Sequence, residues 1–275
     1  MESWTVDGDL AAYRIAVAAP RAAVLMLHGF AEHAGRHEPA LQRLAARGVA
    51  AYAYDHRGHG RSPGARGVVK RFDALVDEAQ RMRERVTAEQ PGVPLFLLGA
   101  SMGGLMAIRT AQRRPEGLAG VVAIAPAISI GGKEPALVRA LAPWIAKIVP
   151  SMPAAKLDVH ALSRDPAVGE AFLVDPLTHK GGVPIASAVA MIGAGAAALA
   201  EAPHWTLPLL LVQGDRDRIV SPSGASRFAD AAGGDDVTLR VVPGGYHEPF
   251  NDPGGEALVD EVGDWILARA LVSAG

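Results

Sequence analysis

The stretch that most constrains the fold of this chain is residues 94–104, Pro-Leu-Phe-Leu-Leu-Gly-Ala-Ser-Met-Gly-Gly. Its apolar run, 95–98, has the length of a buried strand. Gly99-x-Ser101-x-Gly103 follows at once, and a pattern typical of a helix then continues through Arg114. The sequence therefore predicts a strand, a sharp turn that carries Ser101, and a helix.

The residue types at this turn fit a nucleophilic serine. Glycine at 99, 103 and 104 leaves room where chain segments approach closely, and a serine on such a turn has a strained backbone. Ser101 would stand at the N-terminus of the helix, where free N–H groups favour negative charge. In a glycine-rich chain this short motif can also occur by chance in a loop. The strand before it and the helix after it favour the nucleophile.

Composition and charge narrow the function classes. The 275 residues carry a net charge of −2, which gives no electrostatic basis for binding nucleic acid or an anionic membrane. The chain has no cysteine, which excludes disulfides and Cys-bound metals. The first residues lack the basic and apolar regions of a signal peptide, so we predict a cytoplasmic protein. The uncharged stretch 183–200 is mostly Ala and Gly, which predicts a buried or cap helix and no stable membrane span.

Strand and helix patterns alternate along most of the chain. An edge hairpin is predicted over 4–17, with its turn at 7–9. Further strands are predicted at 22–27, 49–54, 95–98, 118–125, 207–213 and 237–242, and helices at 36–47, 72–90, 222–232 and 255–272. This alternation predicts an α/β fold with a mostly parallel sheet and helices on both faces.

The alternation stops between residues 127 and 204, where no clear strand is predicted. An apolar helix over 135–150, kinked at Pro143, dominates this part. We therefore expect a core formed by 1–126 and 205–275, with 127–204 inserted as a helical cap over the sheet edge where α/β folds bind ligands.

A serine nucleophile needs a base, and the base needs an orienting carboxylate. In this kind of sheet both partners follow later strands, in the order Ser, acid, His. The loop after the 207–213 strand offers Asp215 and Asp217, and the loop after the 237–242 strand offers His247. Asp215 directly follows a glycine and suits a turn. We therefore predict Asp217 as the acid and His247 as the base.

Taken together, the motifs resemble the monoacylglycerol lipase and lysophospholipase-like branch of the α/β-hydrolase superfamily, which includes serine aminopeptidase S33-type hydrolases. The motifs that carry the resemblance cover nearly the whole chain: His28-Gly-Phe-Ala-Glu-His33, Asp55-His-Arg-Gly-His-Gly-Arg-Ser62, Gly99-x-Ser101-Met-Gly-Gly104, Ser163-Arg-Asp-Pro166, Asp175-Pro-Leu177, Gly214-x-x-Asp217 and Gly245-Tyr-His247.

The resemblance implies an α/β-hydrolase fold, the triad Ser101, Asp217 and His247, and oxyanion N–H donors at Phe30 and Met102. It also implies that His28 shapes the oxyanion loop. Ala100 departs from the family, which usually has histidine there, so packing beside the nucleophile is expected to differ. Ester hydrolysis by such a triad requires no metal or organic cofactor.

The predicted substrate is a carboxylic ester, most simply a monoacylglycerol or another single-chain lipid ester. The apolar residues of the insertion that we predict to bind it are Leu137, Leu141, Trp144, Ile145 and Ile148, and the cap is expected to touch lipid surfaces transiently. Short-chain esters remain an alternative, as do aminoacyl amides if an acidic residue such as Glu134, Asp158 or Glu170 faces the pocket. A further alternative is a hydrolase-like binding protein without turnover.

Overall fold

The computed structural model describes residues 1–6, 10–130 and 136–273, and all of their side chains except those of 4–6, 136–140, 272 and 273. Its strands are β1 (Glu2–Val6), β2 (Leu10–Ile15), β3 (Ala22–Leu27), β4 (Val49–Tyr54), β5 (Leu95–Ala100), β6 (Gly120–Ile124), β7 (Pro153–Ala155), β8 (Val183–Pro184), β9 (Leu209–Gly214) and β10 (Val237–Val242). Its helices are α1 (Glu38–Ala46), α2 (Phe72–Glu89), α3 (Met102–Arg113), α4 (Ala136–Ile148), α5 (Pro166–Val174), α6 (Ile185–Glu201), α7 (Pro222–Ala231) and α8 (Gly255–Ser273).

The main sheet has the strand order β1-β2-β4-β3-β5-β6-β9-β10. β2 runs antiparallel to β1 and β4, and the other neighbours are parallel. The register pairs Leu27 with Gly99 and Val242 with Gly214. The loops that follow β3 and β5 therefore begin side by side, as do the loops that follow β9 and β10. All four loops open at the carboxyl edge of the sheet.

The apolar strands are covered on both faces. Every residue of β3, β4 and β9 is buried, as expected for parallel strands between two helical layers. One core packs α2 and α3 against the sheet through residues such as Met82 and Leu105. The other packs α1 and α8 through residues such as Leu44 and Val262. The predicted α/β fold with a mostly parallel, two-sided sheet is confirmed, and the predicted hairpin turn at 7–9 lies outside the described residues.

The segment between β6 and β9 carries α4, α5 and α6, together with β7 and β8, which pair antiparallel as a short second sheet. Sequence patterning missed these two strands because they are only three and two residues long and contain prolines. By length and composition alone, residues 185–204 would suffice to cross a membrane. In the structure, α6 packs against α3 and α4 and buries residues such as Met191 and Ala198.

Candidate active site

Ser101 lies between β5 and α3 with φ 54° and ψ −116°, a conformation that non-glycine residues rarely adopt. Its N–H donates to Ile124 O at 2.8 Å, and its C=O accepts from Leu105 N at 3.1 Å and Ala127 N at 3.0 Å. These bonds hold the strained turn in place. The side chain of Ser101 lines a cavity at the carboxyl edge of the sheet.

The glycines around Ser101 are required by close backbone packing. A Cβ atom at Gly103 would lie 1.9 Å from Leu27 O, and one at Gly99 would lie 2.2 Å from Gly103 O. Any larger residue would push α3 away from β3 and β5. The turn can therefore carry the serine close to the end of β3 only because these two positions have no side chain.

His247 follows β10 and Asp217 follows β9, and the structure brings them together. His247 Nδ1 and Asp217 Oδ2 are 2.8 Å apart, and both residues are buried. The second oxygen, Oδ1, accepts from Ile219 N at 2.8 Å and Val220 N at 3.0 Å. With Nδ1 on the carboxylate, Nε2 is the ring nitrogen left to exchange a proton, and His247 lines the same cavity as Ser101. Asp215 instead lies at the surface and accepts from Gly244 N at 2.7 Å.

The environment shifts the pKa values of this pair in opposite directions. Burial lowers the pKa of His247, but the hydrogen bond and charge of Asp217 and the charges of Glu248 and Glu32 outweigh burial, so this pKa lies above its ordinary value. Burial raises the pKa of Asp217, but its bonds to His247 and to two backbone N–H groups outweigh that effect and lower the pKa. Asp217 is therefore ionised at neutral pH, and His247 is a stronger base than free imidazole.

Gln213 is a further residue of this site, and sequence reasoning missed it. It is buried in β9, and its Nε2 lies 3.1 Å from Asp217 Oδ2, the oxygen that His247 also contacts. This amide donor supports the negative charge of the carboxylate. The signal that points to it is a polar residue at the end of an otherwise apolar strand.

The loop after β3 brings the backbone N–H of Phe30 near the serine. His56 N donates to His28 Nε2 at 2.9 Å, so the neutral ring carries its proton on Nδ1. His28 Nδ1 then donates to Gly29 O at 2.7 Å. Because a trans peptide points its C=O and N–H in opposite directions, the N–H of Phe30 is turned away from His28. A Cβ atom at Gly29 would lie only 3.3 Å from Ser101 Cβ, so this peptide stands beside the serine.

Met102 is the first residue of α3 and is fully buried. The first N–H groups of a helix have no acceptor within the helix, so its N–H is available to an oxyanion. Phe30 is half-buried and lines the cavity. The two predicted donors thus flank Ser101, one on the loop after β3 and the other on the helix after β5.

Several histidines lie in the loops after β3 and β4, and they contact other protein groups. His56 stacks on His28 with ring centres 3.8 Å apart. Burial lowers the pKa of His28, lowers that of His56 to about 3 and lowers that of His59 to about 4, so all three rings are neutral at physiological pH. His33 pairs with Asp175 and His37 with Glu32. Within the described residues, no group of three or more potential ligands has the arrangement of a metal site.

An ion-pair network that sequence reasoning also missed links the loop after β3 to the His247 loop. Glu32 Oε1 accepts from Gly29 N at 2.6 Å, and Glu32 Oε2 pairs with Arg36 Nη1 at 2.6 Å. Arg36 contacts both carboxylate oxygens of Glu248, at 2.9 and 3.0 Å. Burial raises the pKa of Glu32, but the charges of His37 and Arg36 outweigh burial and lower it.

The cavity that Ser101 and His247 share has a volume of about 600 Å³. Its walls are mostly apolar, and its charged lining residues include the ion-paired Glu32, Arg36 and Glu248 as well as Lys156, Asp158 and Arg218. The segment between β6 and β9 supplies much of the wall, including Leu157, Val183, Ile185, Val189, Met191 and Ile192. Ala100 also lines the cavity, so the small residue in place of the expected histidine leaves space beside the nucleophile.

The residues predicted to bind the substrate are placed differently from the expectation. From α4, Ala142 and Pro143 line the cavity. Leu141, Trp144 and Ile148 are exposed by 46%, 67% and 81% and lie outside its lining, as does the half-buried Ile145. Helical periodicity gave the apolar positions of α4, but it could not tell which face packs against α6 and which stays exposed. The side chain of Leu137 lies outside the described residues.

Comparisons with known proteins agree with this architecture. The family model described as Serine aminopeptidase, S33, matches residues 18–254. Monoacylglycerol lipase of Mycolicibacterium smegmatis is 38% identical over 267 residues, which cover 97% of this chain and 91% of that protein. Human monoglyceride lipase is 33% identical over 257 residues, covering 92% and 85%. The crystal structure of Paleococcus ferrophilus monoacylglycerol lipase superposes with a TM-score of 0.84 at 33% identity, covering 95% of this chain and 99% of that one. With a family model that spans most of its length and relatives that it covers nearly end to end, the chain belongs to the serine aminopeptidase S33 family of α/β-hydrolases.

Proposed function

We propose that this protein is a carboxylic ester hydrolase that cleaves monoacylglycerols or similar single-chain lipid esters through an acyl-serine intermediate. The observation that carries the proposal is the shared cavity: Ser101 and the hydrogen-bonded His247 both line a mostly apolar space that also contains charged residues. The apolar walls suit an acyl chain, and the polar lining residues suit an alcohol. The relatives named monoacylglycerol lipase support the same substrate class.

The proposed mechanism uses the triad Ser101, Asp217 and His247. His247 Nε2 takes the proton of Ser101 Oγ as the oxygen attacks the ester carbonyl, while Asp217 holds the ring and offsets its charge. The N–H groups of Phe30 and Met102 stabilise the tetrahedral oxyanion. His247 then protonates the leaving alcohol. In the second half-reaction it activates water, which releases the fatty acid and restores Ser101.

Residues 127–204 are proposed to act as a cap over this cavity, because they supply much of its wall and leave a row of exposed apolar side chains on α4. We also propose a cytoplasmic location.

The substrate proposal predicts faster fatty-acid release from a long-chain monoacylglycerol than from the matching diacylglycerol, because the cavity at Ser101 accommodates one acyl chain. For wild-type protein we expect a kcat/KM at least about 10-fold higher on the monoacylglycerol than on the diacylglycerol. This ratio corresponds to a difference of roughly 1.4 kcal/mol in transition-state binding between the two lipids. The measurement is titration of released acid in mixed micelles with detergent at a fixed ratio. Equal rates on both lipids, or turnover of acetyl esters alone, would contradict the single-chain lipid assignment.

An aminoacyl amide is the second candidate substrate class, favoured by the placement of Asp158 in the cavity wall. An acidic group there could receive a free amine. Its carboxylate lies 3.7 Å from the guanidinium of Arg218, which offsets that charge. Release of aniline from a panel of aminoacyl anilides, faster than acid release from monoacylglycerol, would favour the amidase.

The exposed side chains of α4 are proposed to contact the lipid surface that holds the substrate. Leu141, Trp144 and Ile148 follow one another at helical spacing and are all exposed, and Lys147 Nζ lies 4.9 Å from the Trp144 ring centre. Apolar side chains beside a lysine are typical of surfaces that bind lipid interfaces.

Replacing Trp144 and Ile148 by aspartate should weaken binding to phosphatidylcholine vesicles by about 10-fold or more, because each large apolar side chain contributes roughly 1.5–3 kcal/mol when it leaves water. Hydrolysis of a water-soluble short-chain ester should be unchanged. The measurement is vesicle co-sedimentation, with Leu271→Asp as matched control because that residue is also exposed, by 75%, but lies on α8. An equal loss of vesicle binding in Leu271→Asp, or no loss in the Trp144 and Ile148 double variant, would refute the proposed contact of α4 with lipid surfaces.

A further inference from the structure

Asp252 is a buried carboxylate that the proposed mechanism does not use. It follows His247 in the loop after β10, and its side chain is almost fully enclosed, with 2% of its area exposed. Three N–H donors converge on it. Arg164 N donates to Oδ1 at 2.7 Å, Arg164 Nε donates to Oδ2 at 3.0 Å, and Tyr246 N donates to Oδ2 at 3.1 Å. Ser163 Oγ lies 2.9 Å from Oδ1.

These contacts join two distant parts of the chain. Ser163 and Arg164 belong to the segment between β6 and β9, whereas Tyr246 is the residue directly before His247. On the other side of His247, Glu248 N donates to Leu162 O at 2.7 Å. The backbone N–H groups on both sides of the histidine are thus fixed, one by Asp252 and the other by the insertion itself.

The site requires a carboxylate and not merely a side chain of that shape. An asparagine at 252 would keep the size but would turn an NH₂ group toward N–H donors that are already in place. At least one of these donors would then lose its acceptor, and buried groups without partners are costly. The positive charge of Arg164 compensates the buried carboxylate, which accounts for the sequence pair Ser163-Arg164 that the triad leaves unexplained.

We infer that Asp252 is a positioning residue for His247, anchored by the Ser163–Arg164 pair of the insertion. This inference rests on the proposed role of His247 as the general base. The insertion then has a second task besides forming the cavity wall: it holds the loop that carries the base. Asp252 acts through the backbone of Tyr246 and touches neither substrate nor Ser101 in this role.

The test is Asp252→Asn, with Asp235→Asn as the matched control because Asp235 is exposed. On a soluble short-chain ester we expect kcat to fall by about 10²-fold, the effect of a small misplacement of a catalytic group, with KM within about 2-fold of wild type. The acidic limb of the pH profile should move to lower pH, because a displaced His247 loses part of its bond to Asp217. The control should match wild type.

If Asp252 had only a structural role, the variant would have a lower Tm but an unchanged acidic limb of the pH profile, and that result would overturn the inference. A folded Asp252→Asn variant with the kcat of wild type would also overturn it. If Asp252→Asn does not fold, Arg164→Gln is tested instead, because it removes the side-chain contact to Asp252 and keeps the backbone contact of residue 164. Arg164→Gln should lower kcat and move the acidic limb of the pH profile to lower pH. Arg71→Gln, which changes an exposed arginine, should do neither. A rise in KM alone in Arg164→Gln also overturns the inference. Absence of ester turnover in wild type would instead refute the proposed function.

Discussion

Replacing Ser101 by alanine should lower kcat for ester hydrolysis by about 10⁶-fold, the loss typical of removing a triad nucleophile. The hydroxyl is the atom that forms the acyl intermediate, and no other side chain of the described cavity wall is a serine, threonine or cysteine. KM should change little, because the apolar walls that bind the acyl chain stay in place. The measurement is acid release under saturating monoacylglycerol, together with labelling of the serine by a fluorophosphonate probe, which should be lost.

The matched control for this variant is Ser223→Ala, which removes an exposed hydroxyl that contacts only Ser221 in the described structure and should retain full activity and labelling. Ser101→Gly provides a second readout, because glycine tolerates the φ of 54° at this position. It should be as inactive as Ser101→Ala and yet have a higher Tm than that variant, since glycine avoids the backbone strain, which costs on the order of 1–3 kcal/mol. Residual activity above about 1% in Ser101→Ala would refute the nucleophile assignment.

The fold could be predicted from the sequence because its signals are local. The apolar runs at 22–27 and 49–54 coincide with β3 and β4, since strands buried on both faces leave an uninterrupted apolar pattern. The turn at Ser101 could also be predicted, because strand, glycines and helix are contiguous. What sequence patterning could not supply is which face of α4 packs against α6. Trp144 and Ile148 therefore were expected in the cavity wall and are found exposed.

The parts of the candidate site that depend on distant contacts were not predictable in the same way. Asp217 and His247 could be proposed from their positions after strands, since parallel strands end at one edge of the sheet. The pairing of Arg36 with Glu248 joins residues that are 212 positions apart, and that of Arg164 with Asp252 joins residues 88 apart. No periodicity or short motif encodes such pairs. These contacts form only in the folded structure, where the loops lie side by side.

Replacing Asp217 by asparagine should lower kcat by about 10⁴-fold, because the amide leaves the geometry intact but favours the wrong tautomer of the histidine. In wild type the pKa of His247 is raised, chiefly by Asp217 against the effect of burial. The base must be neutral, so kcat/KM should rise with pH through a value above about 6.5, the ordinary histidine pKa. Without the carboxylate charge, this limb should move to lower pH while the plateau falls.

Asp215→Asn is the matched control, since it changes the other acidic candidate of the same loop, an exposed residue whose bond is to Gly244 N. It should leave both the plateau and the acidic limb of the pH profile at their wild-type values. The comparison separates two roles of the loop: a carboxylate that shapes a turn affects stability only, whereas the carboxylate that holds His247 determines the proton affinity of the base. A large loss of kcat in Asp215→Asn, with a nearly active Asp217→Asn, would reverse the assignment of the acid. A fall in kcat without movement of the limb would mean that Asp217 orients the ring but does not set its pKa.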